Sequence, residues 1–193
     1  MPKFVAIVAL PGELPQNLRA FSEPLIYSGV GKLNASIATI KAIDKYKPEF
    51  ILNLGTVGAL NNKISGVVEI REVFQRDFDA EPLSPKGKVP FDDKPEVLTS
   101  RFGEYSCGTG DTFVRSKDPW LVDNHIDVVD MELFAIAHAC YSKSLPWRCL
   151  KFITDYVSKD SGDDWKKNLD VSGAKLVEAL EIIKGKVTKL PVF

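Results

Sequence analysis

Carboxylate and hydroxyl side chains follow several of the apolar runs that are typical of buried strands. Glu13 follows the first run, Gly55 and Thr56 follow the third, and Thr154 and Asp155 follow the last. Carboxylates can donate or accept a proton in a reaction. In α/β sheets the ligands gather at the carboxyl ends of the strands. A domain that only had to turn at these points would not need carboxylates and hydroxyls together, so we expect a site for acid–base chemistry at this edge.

Apolar runs alternate along the chain with segments of helical periodicity. We predict strands over residues 3–10, 25–30, 50–54, 67–74, 104–114, 126–129 and 147–153. Helices are predicted over residues 33–46 and 130–143, and a C-terminal helix is marked by Leu169, Leu176, Leu180 and Ile183. The alternation predicts an α/β fold: a single domain over residues 1–193, with a central mixed, mostly parallel β-sheet flanked by helices.

Three local features set the expected limits of these elements. Gly55 and Gly58 are expected to close the third strand, because glycine commonly marks a turn. Asp130 is expected to cap and begin the buried helix. Leu33, Ile37 and Ile40 lie at the spacing of one helical face.

Charge balance and cysteine content exclude several classes of protein. The chain has 25 lysines and arginines against 26 aspartates and glutamates, whereas nucleic-acid binders usually carry a basic excess. The three cysteines have neither the spacing of a zinc site nor that of a disulfide framework. The apolar run at residues 3–10 is too short to span a membrane, and no cleavage site follows it. We therefore expect a cytoplasmic protein that binds neither nucleic acid nor membrane.

Six stretches of sequence together carry a resemblance to a known family. Four are strong: SGVGKLNA from Ser28, NLGTVGAL from Asn53, VVDMELFAIAH from Val128 and FITDYVS from Phe152. Two are weaker: ALPGE from Ala9 and GDTFV from Gly110. The ordered set resembles the purine nucleoside phosphorylase superfamily, and within it the 5′-methylthioadenosine/S-adenosylhomocysteine nucleosidases. The resemblance implies a nucleoside phosphorylase-like fold and cleavage of the N-glycosidic bond of a purine nucleoside.

The resemblance also implies separate roles for three carboxylates, as in two-carboxylate glycosidases. Asp155 matches the general acid that shares a proton with the departing purine, and Glu13 matches the residue that orients and deprotonates water. Glu132 matches the acceptor of the two ribose hydroxyls, and its charge would face the developing cation. Each has a plainer alternative. Asp155 could cap the next segment, Glu13 could be a solvated loop residue, and Glu132 could complement the dipole of the helix that it opens.

The remaining candidate site residues rest mainly on the same motifs. Phe113 would stack on the purine, although a phenylalanine after a strand is more often core. Val114 would offer backbone groups to the purine edge, and Thr56 matches a hydroxyl near the water but could equally be a turn residue. The other residues expected to bind substrate are Met131, Gly55 and Thr154.

Two features favour water over phosphate as the nucleophile. Phosphorylases place cations around phosphate, typically an arginine before the glycine turn, but Asn53 holds that position here. Glu13 would repel phosphate and suit water. Two features depart from the nucleosidase pattern: Lys151 replaces an arginine, and the proline-rich loop between residues 76 and 98 is short.

The sequence thus predicts an N-glycosyl hydrolase acting on 5′-methylthioadenosine, S-adenosylhomocysteine or a related purine nucleoside. Two alternatives stay open: a phosphate-dependent purine nucleoside phosphorylase, and a catalytically inert nucleoside-binding protein. The expected partners are a small-molecule purine nucleoside and water, and neither a metal nor another cofactor is implied. Members of the family are commonly homodimers, and the resemblance implies the same assembly here.

Overall fold

Eight strands and four helices make up the described part of the chain, residues 2–15, 22–116, 118–158 and 161–187 of the computed structural model. The strands are β1 (Phe4–Val8), β2 (Leu25–Tyr27), β3 (Phe50–Ala59), β4 (Val67–Gln75), β5 (Val97–Thr99), β6 (Tyr105–Thr109), β7 (Val128–Asp130) and β8 (Trp147–Tyr156). The helices are α1 (Lys32–Tyr46), α2 (Pro119–Asp123), α3 (Leu133–Ser142) and α4 (Ser161–Val187).

Five of the strands close into a ring, so the sheet is a distorted barrel with extensions. β3 pairs with β8, β8 with β4, β4 with β6, β6 with β7, and β7 again with β3. β4 allows the closure because its residues 67–69 pair with β8 while its later residues pair with β6. β1 and β2 extend the sheet from β3, and β5 extends it from β4. Most pairings are parallel, which confirms the predicted mixed, mostly parallel sheet.

The continuous apolar run of β1 is explained by burial on both of its faces. Residues 4, 6 and 8 pack into a cluster with Leu176 and Leu180 of α4. Val5 and Ile7 pack into a second cluster with residues of α1 and α3. Because successive side chains of a strand point to opposite faces, a strand covered on both sides must be apolar throughout. The predicted α4 is confirmed by Leu176 and Leu180, whereas the side chain of Ile183 lies outside the described residues.

The third strand does not end at its glycines, so that prediction is wrong. β3 runs through Gly55 and Gly58 to Ala59, and both glycines pair with β8. A Cβ atom at Gly55 would lie 3.2 Å from Glu13 Oε1, and one at Gly58 would lie 2.9 Å from Asp155 Oδ2. The glycines therefore make room for two carboxylates beside an unbroken strand.

The start of the buried helix also differs from the prediction. α3 begins at Leu133, and Asp130 is the last residue of β7. Asp130 still caps the helix, because its Oδ2 accepts a hydrogen bond of 2.9 Å from the Leu133 N–H. The β-pairing of Asp130 with Thr109 delays the helix by three residues.

α1 is confirmed as a helix, but Leu33, Ile37 and Ile40, whose spacing predicted its apolar face, do not face the core. Its buried positions are Ala35, Thr39, Ala42 and Ile43. Leu33, Ile37 and Ile40 are exposed, Leu33 to 73%. Three of the four buried side chains are small, which lets α1 lie close to its neighbours, and Leu33, Ile37 and Ile40 form an apolar stripe on the outside.

Two short elements, α2 and β5, are absent from the sequence-based prediction. α2 carries a signal that the sequence contained: the Asp118 side chain accepts a hydrogen bond from the Leu121 N–H, and Pro119 occupies the first turn. β5 is only three residues long and pairs with β4 alone. No helix among the described residues is long and apolar enough to cross a membrane.

A buried ion pair joins β7 to β8 within the barrel wall. Lys151 Nζ lies 3.0 Å from Asp130 Oδ2, and the two side chains are 2% and 0% exposed. Burial by itself would lower the pKa of the Lys151 ammonium, but Asp130 and the other negative groups nearby together outweigh burial and raise it. Burial would likewise raise the pKa of Asp130, but the charge of Lys151 and the hydrogen bonds from Thr109, Lys151 and Leu133 together outweigh burial and lower it. Both groups are therefore charged at neutral pH.

Removing one member of this pair should destabilise the fold strongly. Lys151→Met leaves the Asp130 carboxylate buried without its counter-ion, which typically costs about 3–5 kcal/mol of unfolding free energy. Urea unfolding measures the loss. Lys143→Met is the matched control, because Lys143 Nζ lies 2.9 Å from Asp44 Oδ1 on the exposed surface. Exposed pairs contribute little, so equal losses in the two variants would contradict this account of the buried pair.

Candidate active site

A cavity of about 260 Å³ opens at the carboxyl ends of β1, β6, β7 and β8, against the second half of β3. Seven of the nine site residues predicted from the sequence line it: Glu13, Thr56, Phe113, Val114, Met131, Glu132 and Asp155. The other two lie directly behind the wall. Gly55 lies beneath Glu13, and the buried Thr154 donates its hydroxyl to Asp155. The structure thus brings all nine predicted residues together.

Glu13 is held in place by three donors. Its Oε1 accepts hydrogen bonds from the Thr56 N–H at 2.9 Å and from the Thr56 hydroxyl at 2.7 Å. Its Oε2 accepts one from the Leu10 N–H at 3.0 Å. The residue is only 5% exposed, so the alternative of a solvated loop glutamate is wrong. Thr56 lies within β3, so it is not a turn residue either.

Asp155 lies in the last part of β8, with its carboxylate against Gly58 of β3. Its Oδ1 accepts a hydrogen bond of 2.9 Å from the Thr154 hydroxyl, and the residue is 6% exposed. The alternative that Asp155 caps the next segment does not agree with its place inside the strand. Paired with β3 on one side and lining the cavity on the other, the carboxylate has a fixed position.

Glu132 lies in the turn between β7 and α3. Its Oε1 accepts a hydrogen bond of 2.9 Å from the Gly31 N–H, just before α1, and its side chain makes no hydrogen bond to an N–H of α3 among the described contacts. Asp130 takes the helix-capping role instead. Burial, and next the charge of Asp130, raise the pKa of Glu132 to about 7. Glu132 is therefore a carboxyl group that changes charge near neutral pH.

A salt-bridge network holds the Gly31 turn where Glu132 meets it. The Lys32 ammonium pairs with Asp77, and the Lys32 N–H donates to Asp111 Oδ1 at 2.8 Å. Asp111 N–H in turn donates to Asp77 Oδ2 at 2.8 Å. The network ties the start of α1 to the loops that follow β4 and β6.

Arg76 organises the loop that presents Phe113 and Val114. Its guanidinium donates to the carbonyls of Gly108 and Gly110 at 3.1 and 3.0 Å, and also to the hydroxyl and the carbonyl of Thr112. Phe113 is 47% exposed in the cavity wall, so it is not a core residue. Arg76 was not among the predicted site residues, because an arginine after a strand carries no signal that distinguishes it from a surface cation.

No cluster of histidine, cysteine, aspartate or glutamate within the described residues is arranged to hold a metal ion. The three cysteines, all in the described part of the chain, are buried and unpaired. The described residues that line the cavity offer carboxyl, hydroxyl and indole groups together with the guanidinium of Arg76.

A family model described as the phosphorylase superfamily matches residues 24–184. This chain belongs to the phosphorylase superfamily. Among its relatives, the 5′-methylthioadenosine/S-adenosylhomocysteine nucleosidase of Buchnera aphidicola (strain Tuc7) is 30% identical over 181 residues, covering 82% of this chain and 78% of the relative. The Bacillus subtilis nucleosidase of the same name is 26% identical over 186 residues, covering 83% and 80%. The predicted nucleosidase class is confirmed at the level of the family.

Solved structures show the same fold. The Helicobacter pylori 5′-methylthioadenosine/S-adenosylhomocysteine nucleosidase matches this superfamily member with a TM-score of 0.86 and 20% identity, covering 98% of this chain and 99% of that chain. The futalosine hydrolase of Helicobacter pylori matches with a TM-score of 0.85, 20% identity and 98% of each chain. These matches confirm the predicted nucleoside phosphorylase-like fold.

The two positions that distinguish this phosphorylase-superfamily member in sequence, Asn53 and Lys151, both lie beneath the cavity floor. Asn53 is 1% exposed and donates its amide to the Ile7 carbonyl at 3.0 Å. Lys151 is committed to Asp130. Trp165 of α4 also lines the cavity. It was not among the predicted site residues, because its segment matches none of the motifs.

The raised pKa of Glu132 makes stability depend on pH. Between the ordinary value of 4.5 and the folded value of about 7, the folded protein keeps a proton that the unfolded chain releases. The unfolding free energy should therefore fall by about 3 kcal/mol as pH rises through this window. Urea unfolding of the wild type and of Glu132→Gln, from about pH 4 to about pH 8, measures this as a loss of wild-type stability relative to the variant that grows with rising pH. A constant difference would show that Glu132 titrates normally.

Proposed function

We propose that this protein hydrolyses the N-glycosidic bond of a purine nucleoside, with 5′-methylthioadenosine and S-adenosylhomocysteine as the first candidate substrates. One observation carries the proposal: Glu13, Glu132 and Asp155 come from three separate strand ends and line one cavity. Each is buried, and each has its own set of hydrogen-bond donors. Binding a nucleoside would not by itself require three buried carboxylates, which disfavours an inert binding protein.

Departure of the purine needs a proton, and Asp155 is positioned to supply it. Asp155 lines the cavity beside Gly58, and the Thr154 hydroxyl bonds to its Oδ1 at 2.9 Å. The base leaves as a neutral molecule when a ring nitrogen gains a proton as the glycosidic bond breaks. Phe113 offers an exposed aromatic face for the base to stack on.

Glu13 activates the attacking water, and Glu132 stabilises the sugar. Glu13 Oε1 accepts two hydrogen bonds from Thr56, whereas Oε2 accepts one from the Leu10 N–H and can accept a second. A water bonds to Oε2 and loses its proton there as its oxygen bonds to the sugar carbon that the purine leaves. Glu132 binds Gly31 through Oε1, and its other oxygen accepts hydrogen bonds from the ribose hydroxyls. The negative charge of the carboxylate also stabilises the positive charge that develops on the sugar ring.

The cavity wall favours water over phosphate as the nucleophile. Among the described residues that line it, the only cation is Arg76, and the guanidinium is engaged by the loop that it supports. Asn53 replaces the arginine that a phosphorylase would place nearby, and Glu13 adds negative charge. Among the lining residues that the structure describes, a phosphate dianion would meet repulsion and no free cation.

Release of free base from purified protein tests the proposal. A panel of 5′-methylthioadenosine, S-adenosylhomocysteine, adenosine, inosine and guanosine is assayed with and without phosphate. We expect release without phosphate, with the favoured nucleoside identifying the substrate. Release that requires phosphate would establish a phosphorylase, and binding without release from any compound would establish an inert nucleoside-binding protein.

The two catalytic carboxylates should each be needed for turnover. Asp155→Asn cannot protonate the base and Glu13→Gln cannot accept the proton of water, so each should lower kcat by about 10²–10⁴-fold. Glu178→Gln is the control for the same chemical change on an exposed glutamate of α4, and its turnover should match the wild type. Near-normal kcat in either site variant would remove that residue from the mechanism.

The apolar stripe on the outside of α1 supports the predicted homodimer. The stripe consists of Leu33, Ile37 and Ile40, which are between 36% and 73% exposed. Val30, just before the helix, is also exposed and lines the cavity. A second subunit on this face would cover the stripe and one side of the site.

The cytoplasmic location expected from the sequence also stays a prediction.

A charge placed in the stripe should dissociate the dimer. Ile37→Glu would bury a carboxylate in an apolar interface, so light scattering should give the mass of a monomer. Ile182→Glu, on a 62% exposed apolar residue of α4, is the matched control and should leave the mass unchanged. A monomeric wild type, or a dimeric Ile37→Glu variant, would contradict the assignment of this face.

A further inference from the structure

One face of α4 makes hydrogen bonds to both catalytic strand ends. Trp165, Asn168 and Ser172, spaced three and four residues apart, lie on that face and are called here the polar face of α4. Trp165 Nε1 lies 3.0 Å from Thr56 Oγ1, and Asn168 Nδ2 lies 2.6 Å from the Thr154 carbonyl oxygen. The Ser172 hydroxyl lies 3.1 Å from the carbonyl oxygen of Glu13 and 2.7 Å from that of Leu169.

Apart from the contact within the helix to Leu169, each of these contacts reaches a residue that supports a catalytic carboxylate, or that carboxylate's own backbone. Thr56 bonds to Glu13, Thr154 bonds to Asp155, and Ser172 contacts Glu13 itself. The helix therefore spans the two carboxylates that the proposed reaction uses on opposite sides of the sugar. At the buried position of Ser172, packing alone would be satisfied by an apolar side chain, as at Leu176 and Leu180 farther along the helix.

Trp165 has a further effect, because an indole N–H can only donate a hydrogen bond. The Thr56 oxygen must accept that bond, and its single hydrogen is then directed to Glu13 Oε1, 2.7 Å away. The hydroxyl therefore cannot donate to a water in the cavity. A water beside Thr56 and Glu13 must turn its own hydrogens toward them, which leaves an oxygen lone pair directed at the sugar.

We propose that the polar face of α4 positions the catalytic carboxylates, and that Trp165 acts as a positioning residue by setting the direction of the Thr56 hydroxyl. This inference rests on the proposed nucleosidase function. Trp165 does not touch the reacting atoms in this arrangement. It acts through Thr56 on Glu13 and on the attacking water.

Trp165→Phe removes the N–H while keeping an aromatic ring in the wall. We expect kcat for phosphate-independent base release to fall roughly three- to tenfold, with a smaller change in KM, since one neutral hydrogen bond is lost. Trp120→Phe is the matched control: Trp120 Nε1 donates to the Lys86 carbonyl at 3.1 Å, outside the cavity. Its turnover should equal that of the wild type.

A double-mutant cycle separates positioning from packing. In a Thr56→Val background the hydroxyl is absent, so Trp165→Phe should cause no further loss of kcat. A loss that persists in full in that background would assign the effect to packing of the indole and overturn the proposal. Wild-type kcat in Trp165→Phe would overturn it as well.

An NMR measurement without substrate tests the contact itself. The chain has three tryptophans, so a ¹H–¹⁵N spectrum shows three indole N–H signals. Thr56→Val should shift the Trp165 signal, identified by its loss in Trp165→Phe, and leave the Trp120 signal in place. An unmoved Trp165 signal would overturn the proposal whatever the kinetics. If the shift is seen but the wild type releases no base, the proposed function fails, and the positioning role fails with it.

Discussion

The Asp130–Lys151 ion pair is the constraint on which the rest of the site depends. A charged pair inside a protein is stable only when both partners are closely matched and their remaining hydrogen-bonding groups are satisfied. The Asp130 carboxylate meets that condition with the Thr109 hydroxyl, the Leu133 N–H and the Lys151 ammonium. These three partners lie on β6, α3 and β8. One carboxylate thus joins three elements at the end of β7, where the chain must turn to present Glu132.

The same pair sets the electrostatic environment of the cavity. Asp130 adds to the effect of burial on Glu132, while Lys151 opposes it. Lys151 lies so close to the floor that a Cβ at Gly55 would be 3.2 Å from its Nζ and equally far from Glu13 Oε1. A cation held beneath the floor offsets the mutual repulsion of several buried carboxylates. Because it is paired, it offers no binding site for an anion in the cavity above.

Three carboxylates can then differ in behaviour through their donors. Glu13 has three donors and a fixed orientation, as suits a group that receives a proton from water. Glu132 accepts a hydrogen bond from the Gly31 N–H, and repulsion by Asp130 raises its pKa. Asp155 has the neighbouring hydroxyl of Thr154. The polar face of α4 supports the first and the last of these groups from outside the barrel, so a helix far along the chain contributes to the geometry of both.

Local patterns in the sequence were enough to determine the fold class, most strand and helix positions, and nine residues that the fold brings to one cavity or directly behind its wall. The apolar run of β1 and the periodicity of α1 depend on near neighbours in the chain, and the ordered motifs located all nine site residues. Tertiary structure alone decided which face of α1 is buried, why β3 passes through Gly55 and Gly58, and how β4 closes the barrel. It also decided the partners of Arg76 and Trp165. Each of these outcomes depends on atoms from segments far apart in the chain, such as Trp165 against Thr56, and no local pattern records which distant group a side chain will meet.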